Sequence, residues 1–303
     1  MNRIEANSYG KLNLFLEITG KREDDYHEIF SLFQTISIAD RIIIEKGKGS
    51  IKIEFSDKNI KVDGKNTVVK AVNALGVKEG VRIFIEKKIP AGSGLGGGSS
   101  NAATVLLLLN NILDLKIPFE KLWEISCEIG SDVPFFLFGG AALVMGRGEI
   151  VVPVPTTPYR YFLLKIPKIN VSTKSVYENL TEYGDKSKIY AHFLGGNFNR
   201  FINRLEEVAF KLYPELREVK KEMLNLSDFV LMSGSGASFF AGFKEKSKIP
   251  QIKREDLYLF EVVDRKRYFS NFGASPSGKA SGFGPDIRGF ESSRPSIKKR
   301  GEE

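Results

Sequence analysis

The sequence predicts a two-domain α+β protein, and three observations carry that expectation. The chain has 303 residues, 42% of them hydrophobic, which is enough to build two cores of ordinary size. Segments with a strand period and segments with a helix period mix in both halves. Between the halves lies Pro153–Pro158 (PVPTTP), whose three prolines break any regular element. The first domain is therefore expected over residues 1–152 and the second over 153–268, followed by a disordered basic tail at 269–303.

In the first half, Leu12–Thr19 (LNLFLEIT) alternates in part and reads as a strand, and Lys21–Tyr26 (KREDDY) as a charged loop. Ile29–Ile38 has strand character. Asp40–Glu45 and Ser50–Phe55 suggest a hairpin around Gly47 and Gly49. Thr67–Leu75 has helical spacing, and Val81–Ile89 (VRIFIEKKI) alternates cleanly as a strand. After the glycine-rich stretch Pro90–Gly98, Ser99 or Ser100 is placed to cap a helix reaching about Leu115. A second helix follows over Pro118–Ile129, then a strand at Ala141–Met145. In the second half, strands are expected at Tyr161–Ile166, Phe229–Met232, Phe239–Phe243 and Leu257–Val263, with helices at Asn199–Leu212 and Pro214–Leu224.

Composition narrows the classes of function. Cys127 is the only cysteine, so no internal disulfide exists, and with two histidines, His27 and His192, a zinc site is not expected. The longest apolar run, Ala102–Leu109, stops at Asn110 and falls short of the roughly 20 residues of a membrane span. With no leader-like N-terminus, a cytoplasmic protein without a membrane partner is expected. The formal charge is +8, but nine Lys/Arg against four Asp/Glu fall after residue 264. That region has a solvated tail's composition, so no nucleic-acid partner is expected, although a basic arm is the alternative reading.

The chemistry concentrates in PAGSGLGGGSSNAA, which runs from Pro90 to Ala103 between a strand and a helix. Glycines allow close backbone approach, and a helix N-terminus offers free N–H groups to an anion. Walker A fails because no lysine follows the glycines, and a protein-kinase loop fails because H-R-D and D-F-G are absent. The dinucleotide pattern G-x-G-x-x-G fits Gly92, Gly94 and Gly97, so an NAD-type oxidoreductase stays open, although no acidic residue at a second strand's end supports it. Elsewhere, Asp132 stands alone in an apolar stretch, as either a helix N-cap or a general base. Lys11 and Asn13 begin an apolar strand, and Tyr26 and His27 end the charged loop. A second glycine loop, Ser233–Ala237, offers a backbone approach or a plain turn at Gly234 and Gly236.

Pro90, Gly94, Leu95, Gly96 and Ser99 fit P-x-x-x-G-L-G-x-x-S, and here the chain resembles the GHMP kinases of galactose, homoserine, mevalonate and phosphomevalonate. The string GLGGGSSNAA is most similar to the branch that acts on a cytidine diphosphate substrate. Three further motifs agree in order: GKLNLFL followed by Tyr26-His27, Gly130-Ser131-Asp132-Val133-Pro134-Phe135, and Ser233-Gly234-Ser235-Gly236-Ala237. The resemblance implies a ribosomal S5 domain 2-like N-terminal domain, a ferredoxin-like C-terminal domain and an active site in the cleft between them. It implies ATP and Mg²⁺ as cofactors, with ATP held along Pro90, Ala91, Gly92, Ser93, Gly94, Leu95, Gly96, Gly97, Gly98, Ser99 and Ser100. Asp132 would take the acceptor hydroxyl's proton with Lys11 beside it, and Asn13 would orient the substrate. Tyr26, His27 and Tyr177 would hold cytosine, Thr173 the ribose or diphosphate, and Gly234 and Gly236 the diphosphate. Mevalonate-type or homoserine-type substrates are the nearest rivals. Other branches usually have serines where Gly97 and Gly98 stand, so the metal ligands and the oligomeric state are left unassigned.

Overall fold

The computed structural model describes residues 2–155, 157, 159–251 and 254–272. Two long strands set the frame. β1 (Arg3–Lys21) and β2 (His27–Ser50) pair antiparallel around the charged turn, from Arg3 opposite Glu45 to Lys21 opposite His27. Three register shifts bend the pair. β3 (Lys52–Phe55), β4 (Glu79–Glu86), β5 (Ala141–Gly146) and β6 (Ile150–Val154) complete this sheet in the order β3-β4-β2-β5-β6.

The hairpin expected between residues 40–45 and 50–55 does not form. β4 pairs with β2 over Arg41–Lys46 and separates it from β3, which runs parallel to β4. The chain reaches that arrangement through α1 (Thr67–Ala74). The expected linker also starts later than its prolines suggest. Pro153 lies within β6, an edge strand, which is where a sheet tolerates proline.

The helices α2 (Gly97–Ile112), α3 (Phe119–Ile129) and α4 (Val133–Phe138) complete the first body. α2 is apolar all round, and Ala102–Leu109 are at most 2% exposed, as a helix inside a core requires. Its N-cap is Gly96 at φ 73°, so Ser99 and Ser100 sit in the first turn and are not caps.

The second sheet comprises β7 (Tyr161–Lys165), β8 (Val230–Met232), β9 (Phe239–Phe243) and β10 (Leu257–Glu261), in the order β10-β7-β9-β8. Every pair is antiparallel, giving the ferredoxin-like strand order. α5 (Thr173–Glu178), α6 (Lys186–Leu194), α7 (Glu206–Leu212) and α8 (Glu215–Leu224) lie between β7 and β8, whereas the described residues between β9 and β10 hold one 3-10 turn, at Lys246–Lys248. The helix expected over Asn199–Leu212 is reduced to a 3-10 turn at Phe198–Arg200 and to α7. The intervening backbone bonds to β1 instead: Leu16 N–H donates to Ile202 O, and Arg204 N–H donates to Leu16 O.

α9 (Arg265–Ser270), which the sequence did not suggest, returns the chain to the first body. Tyr268 is fully buried there, and Asn271 exchanges two hydrogen bonds with the Asn7 backbone at 2.7 and 2.8 Å. The tail expected from residue 269 is thus packed through Phe272, and its remainder lies outside the described residues.

Candidate active site

The glycine loop is tied down at both ends by one carboxylate. Asp40, fully buried on β2, accepts the Lys88 and Ile89 N–H groups at 2.7 and 2.8 Å and pairs with the Lys87 ammonium. Asn101, on the first turns of α2, donates to Asp40 Oδ2 and to Ser8 Oγ, each at 2.9 Å, and Ser8 Oγ donates to Ser100 Oγ at 2.7 Å. At mid-loop, Lys11 N–H donates to Leu95 O at 2.9 Å, and the Leu95 side chain is fully buried.

Two of the glycines answer to packing. A Cβ on Gly94 would fall 2.2 Å from Ser233 O, and one on Gly96 would lie 2.9 Å from the Phe136 ring; both residues have positive φ. Gly98 differs, since a Cβ there meets only Thr67 Oγ1 at an ordinary 3.5 Å. A groove of about 430 Å³ follows this loop, bordered by Asn66, Thr67 and Lys87. No side chain caps α2, so its first N–H groups stay available to an anion.

A larger cleft of about 1230 Å³ lies between the loop, α4, the β1–β2 turn and the second sheet's loops. Lys11 is 3% exposed; its Nζ donates to Asn13 Oδ1, lies 3.4 Å from Asp132 Oδ2 and sits 4.6 Å from the Phe33 ring centre. Asn13 is itself oriented, donating to Ser31 Oγ at 3.1 Å. Asp132 occupies the N-cap position of α4, but its carboxylate makes no capping bond.

Farther out in the cleft, the His27 ring lies 5.1 Å from Tyr177 and 6.1 Å from Tyr183. Burial first, then the charge of Lys21, holds the His27 pKa below its usual value. Burial pushes the Tyr177 phenol up, and the nearby Asp132 charge adds to this, so its ring is neutral. Tyr26 is exposed, with the Arg147 guanidinium 5.0 Å from its ring centre and held by Cys127 O at 2.6 Å. Thr173 Oγ1 and Ser235 Oγ share a hydrogen bond at 2.8 Å. Asn203 Nδ2 fixes the second glycine loop by donating to Met232 O and Gly234 O at 2.8 and 2.7 Å.

The cleft therefore brings together Lys11, Asn13, Tyr26, His27, Gly94, Gly96, Ser99, Asp132, Thr173, Tyr177 and Gly234. Gly236 is not among its walls; a Cβ there would meet Met232 Sδ at 2.9 Å. Pro90, Ala91, Gly92, Ser93, Leu95, Gly97 and Gly98 border the smaller groove, and Ser100 is buried behind it. Arg147 and Tyr183 line the cleft, and Asp40 and Asn203 brace its loops, yet none carried a motif; Ser235, which also lines it, stood inside the second glycine loop without an assigned role. Among the described residues, no group of three His, Cys, Asp or Glu side chains is gathered for a metal.

The match to GHMP kinases N terminal domain covers residues 66–140, and that to GHMP kinases C terminal covers 190–255. A 4-diphosphocytidyl-2-C-methyl-D-erythritol kinase from Carboxydothermus hydrogenoformans is 39% identical over 282 residues, covering 88% of this chain and 96% of its own. The chain belongs to the GHMP kinase family. A crystal structure of 4-(cytidine 5'-diphospho)-2C-methyl-D-erythritol kinase superposes on this GHMP kinase with a TM-score of 0.68 at 35% identity, covering 81% of this chain and 92% of that one. Homoserine kinase from Cytophaga hutchinsonii, at 21% identity and TM-score 0.66 over 88% of this chain and 96% of that one, shares the fold. The α+β GHMP kinase architecture expected from the sequence is thus the one observed. Among the described residues, no helix is long and apolar enough to cross a membrane.

Proposed function

We propose that this GHMP kinase transfers the γ-phosphoryl group of ATP to a hydroxyl of 4-diphosphocytidyl-2-C-methyl-D-erythritol. The products are the 2-phosphate and ADP, in the cytoplasmic, non-mevalonate route to isoprenoid precursors. The observation that carries the mechanism is the Lys11–Asp132 contact of 3.4 Å, in a cleft bordered by both glycine loops.

Phosphoryl transfer needs alignment, charge neutralisation and a partner for the acceptor proton. The uncapped N-terminus of α2 and the groove beside Gly98 suit the ATP phosphates. Asp132, whose carboxylate is not spent on a cap, takes the acceptor hydroxyl's proton. Lys11 neutralises the transferring group, and Asn13, itself held by Ser31, orients the acceptor. Cytosine sits among Tyr26, His27 and Tyr177, and Thr173 and Gly234 face the ribose and diphosphate. Mg²⁺, when bound, neutralises phosphate charge; with no acidic cluster among the described residues, it would be held largely by phosphate oxygens and water, beside Asp132 and Ser99.

Asp132→Asn preserves shape and removes the proton acceptor. Its kcat should fall by about 10²–10⁴-fold, while calorimetry shows ATP binding unchanged. Adding Lys11→Met should cost little more, because the two act as a unit. Near-wild-type turnover in Asp132→Asn refutes the assignment. ADP release with mevalonate or homoserine, but not with the cytidine diphosphate substrate, refutes the substrate.

A further inference from the structure

A second cavity, of about 880 Å³, shares no wall residue with the catalytic cleft. It is within the size range of small-ligand sites. Three cations border it: Lys88, Lys168 and Arg267. No described aspartate or glutamate does. Their charges are largely unspent. Lys168 has no ion pair among the described residues, and the others make only exposed contacts, Lys88 with Glu86 at 3.8 Å and Arg267 with Glu261 at 3.6 Å. Exposed pairs of that length are weak and exchange readily for an anion.

One wall is aromatic. Tyr258 and Phe260 alternate onto one face of β10, an edge strand, with ring centres 6.4 Å apart and planes 22° from parallel. Tyr258 remains 47% exposed, so its ring is open to a ligand in the cavity. Weakly paired cations suit phosphate, and a flat aromatic wall suits a planar ring.

We infer that this cavity binds a phosphorylated aromatic ligand of nucleoside monophosphate size, at a site separate from catalysis. Segment 90–93 of the glycine loop borders both this cavity and the groove beside Gly98. A ligand here therefore touches the same backbone that shapes that groove, and its occupancy shifts the affinity for ATP reciprocally.

The test is calorimetry on the full chain with guanosine monophosphate, after saturation with a non-hydrolysable ATP analogue and CDP. One equivalent should bind. Affinity should fall about tenfold in Arg267→Ala, in Lys168→Ala and in Tyr258→Ala, and inorganic phosphate alone should bind more weakly than the nucleotide. These side chains are exposed, and unchanged melting temperatures would verify that the variants fold. Absence of binding, equal affinity in all three variants, or equal affinity for phosphate overturns the inference. The saturation step rests on the kinase reading. Failure of the ATP analogue or CDP to bind is seen in that step and counts against that reading alone; guanosine monophosphate binding is then judged by the same three variants.

Discussion

Lys11 and Asp132 come together from strand and helix, the lysine already bonded to Asn13 and the aspartate free of a capping role. Asp132 makes no capping bond to α4, and Lys11 is only 3% exposed. Burial also bears on the titration of His27. Its folded pKa lies below the unfolded value, so the unfolded chain gains the proton first. The stability associated with neutral His27 is complete above about pH 6.5 and is lost as pH falls from there to the folded pKa. The KM for the cytidine diphosphate substrate should accordingly stay flat as pH falls through 6.5 and rise only below it. Lys21→Ala, which removes the second cause of the depression, should move that rise toward 6.5. A wild-type step at or above 6.5 contradicts the assignment of His27 to the substrate.

At the scale of elements, the glycine loop separates packing from ligand approach. Gly96→Ala must adopt φ 73° and press a methyl against Phe136 and the Lys11 stem. It should cost about 1–3 kcal/mol of stability by chemical denaturation. Gly98→Ala lies in the first turn of α2 with room for its methyl, so stability should hold or rise by about 0.5–1 kcal/mol. If phosphate approaches there, the KM for ATP should rise; an unchanged KM excludes that approach. The loop, α2, β1 and β2 were legible because apolar period and glycine density are local signals. The pairing of β3 was not, because it depends on β4 some thirty residues later. Asp40 was invisible as one acid within a strand, and its role exists only where residues 87–89 and Asn101 meet it. Six-residue α9 has too little period to read, and its buried face is defined by Gly139, where a Cβ would fall 2.3 Å from the Tyr268 ring.

Across the whole molecule, three of the junctions between the two sheets bear directly on the site and on the chain's end. Arg204 donates twice to the buried Glu17 carboxylate, at 2.6 and 2.9 Å, beside the backbone bonds of Leu16. Ser233 Oγ donates to Gly94 O at 3.1 Å. α9 closes the third: Tyr268 OH donates to Phe136 O on α4, and the Arg265 guanidinium donates to Phe138, Gly139 and Ala141 carbonyls. Deleting residues 273–303 should leave kcat/KM and Tm near wild type. Ending the chain at Asp264 removes a fully buried tyrosine and should cost more than about 3 kcal/mol. Equal melting temperatures for the two truncations would show that α9 contributes no stability.

The contact at Gly94 bears on how such enzymes can be recombined. One loop belongs to the N-terminal half and the other to the C-terminal half, and there is no space between them for a single methyl. A chimera that grafts another kinase's C-terminal half onto this chain inherits only one side of that contact. The halves are therefore exchangeable only as a matched pair of loops, and a library that shuffles them independently should yield folded but misaligned proteins.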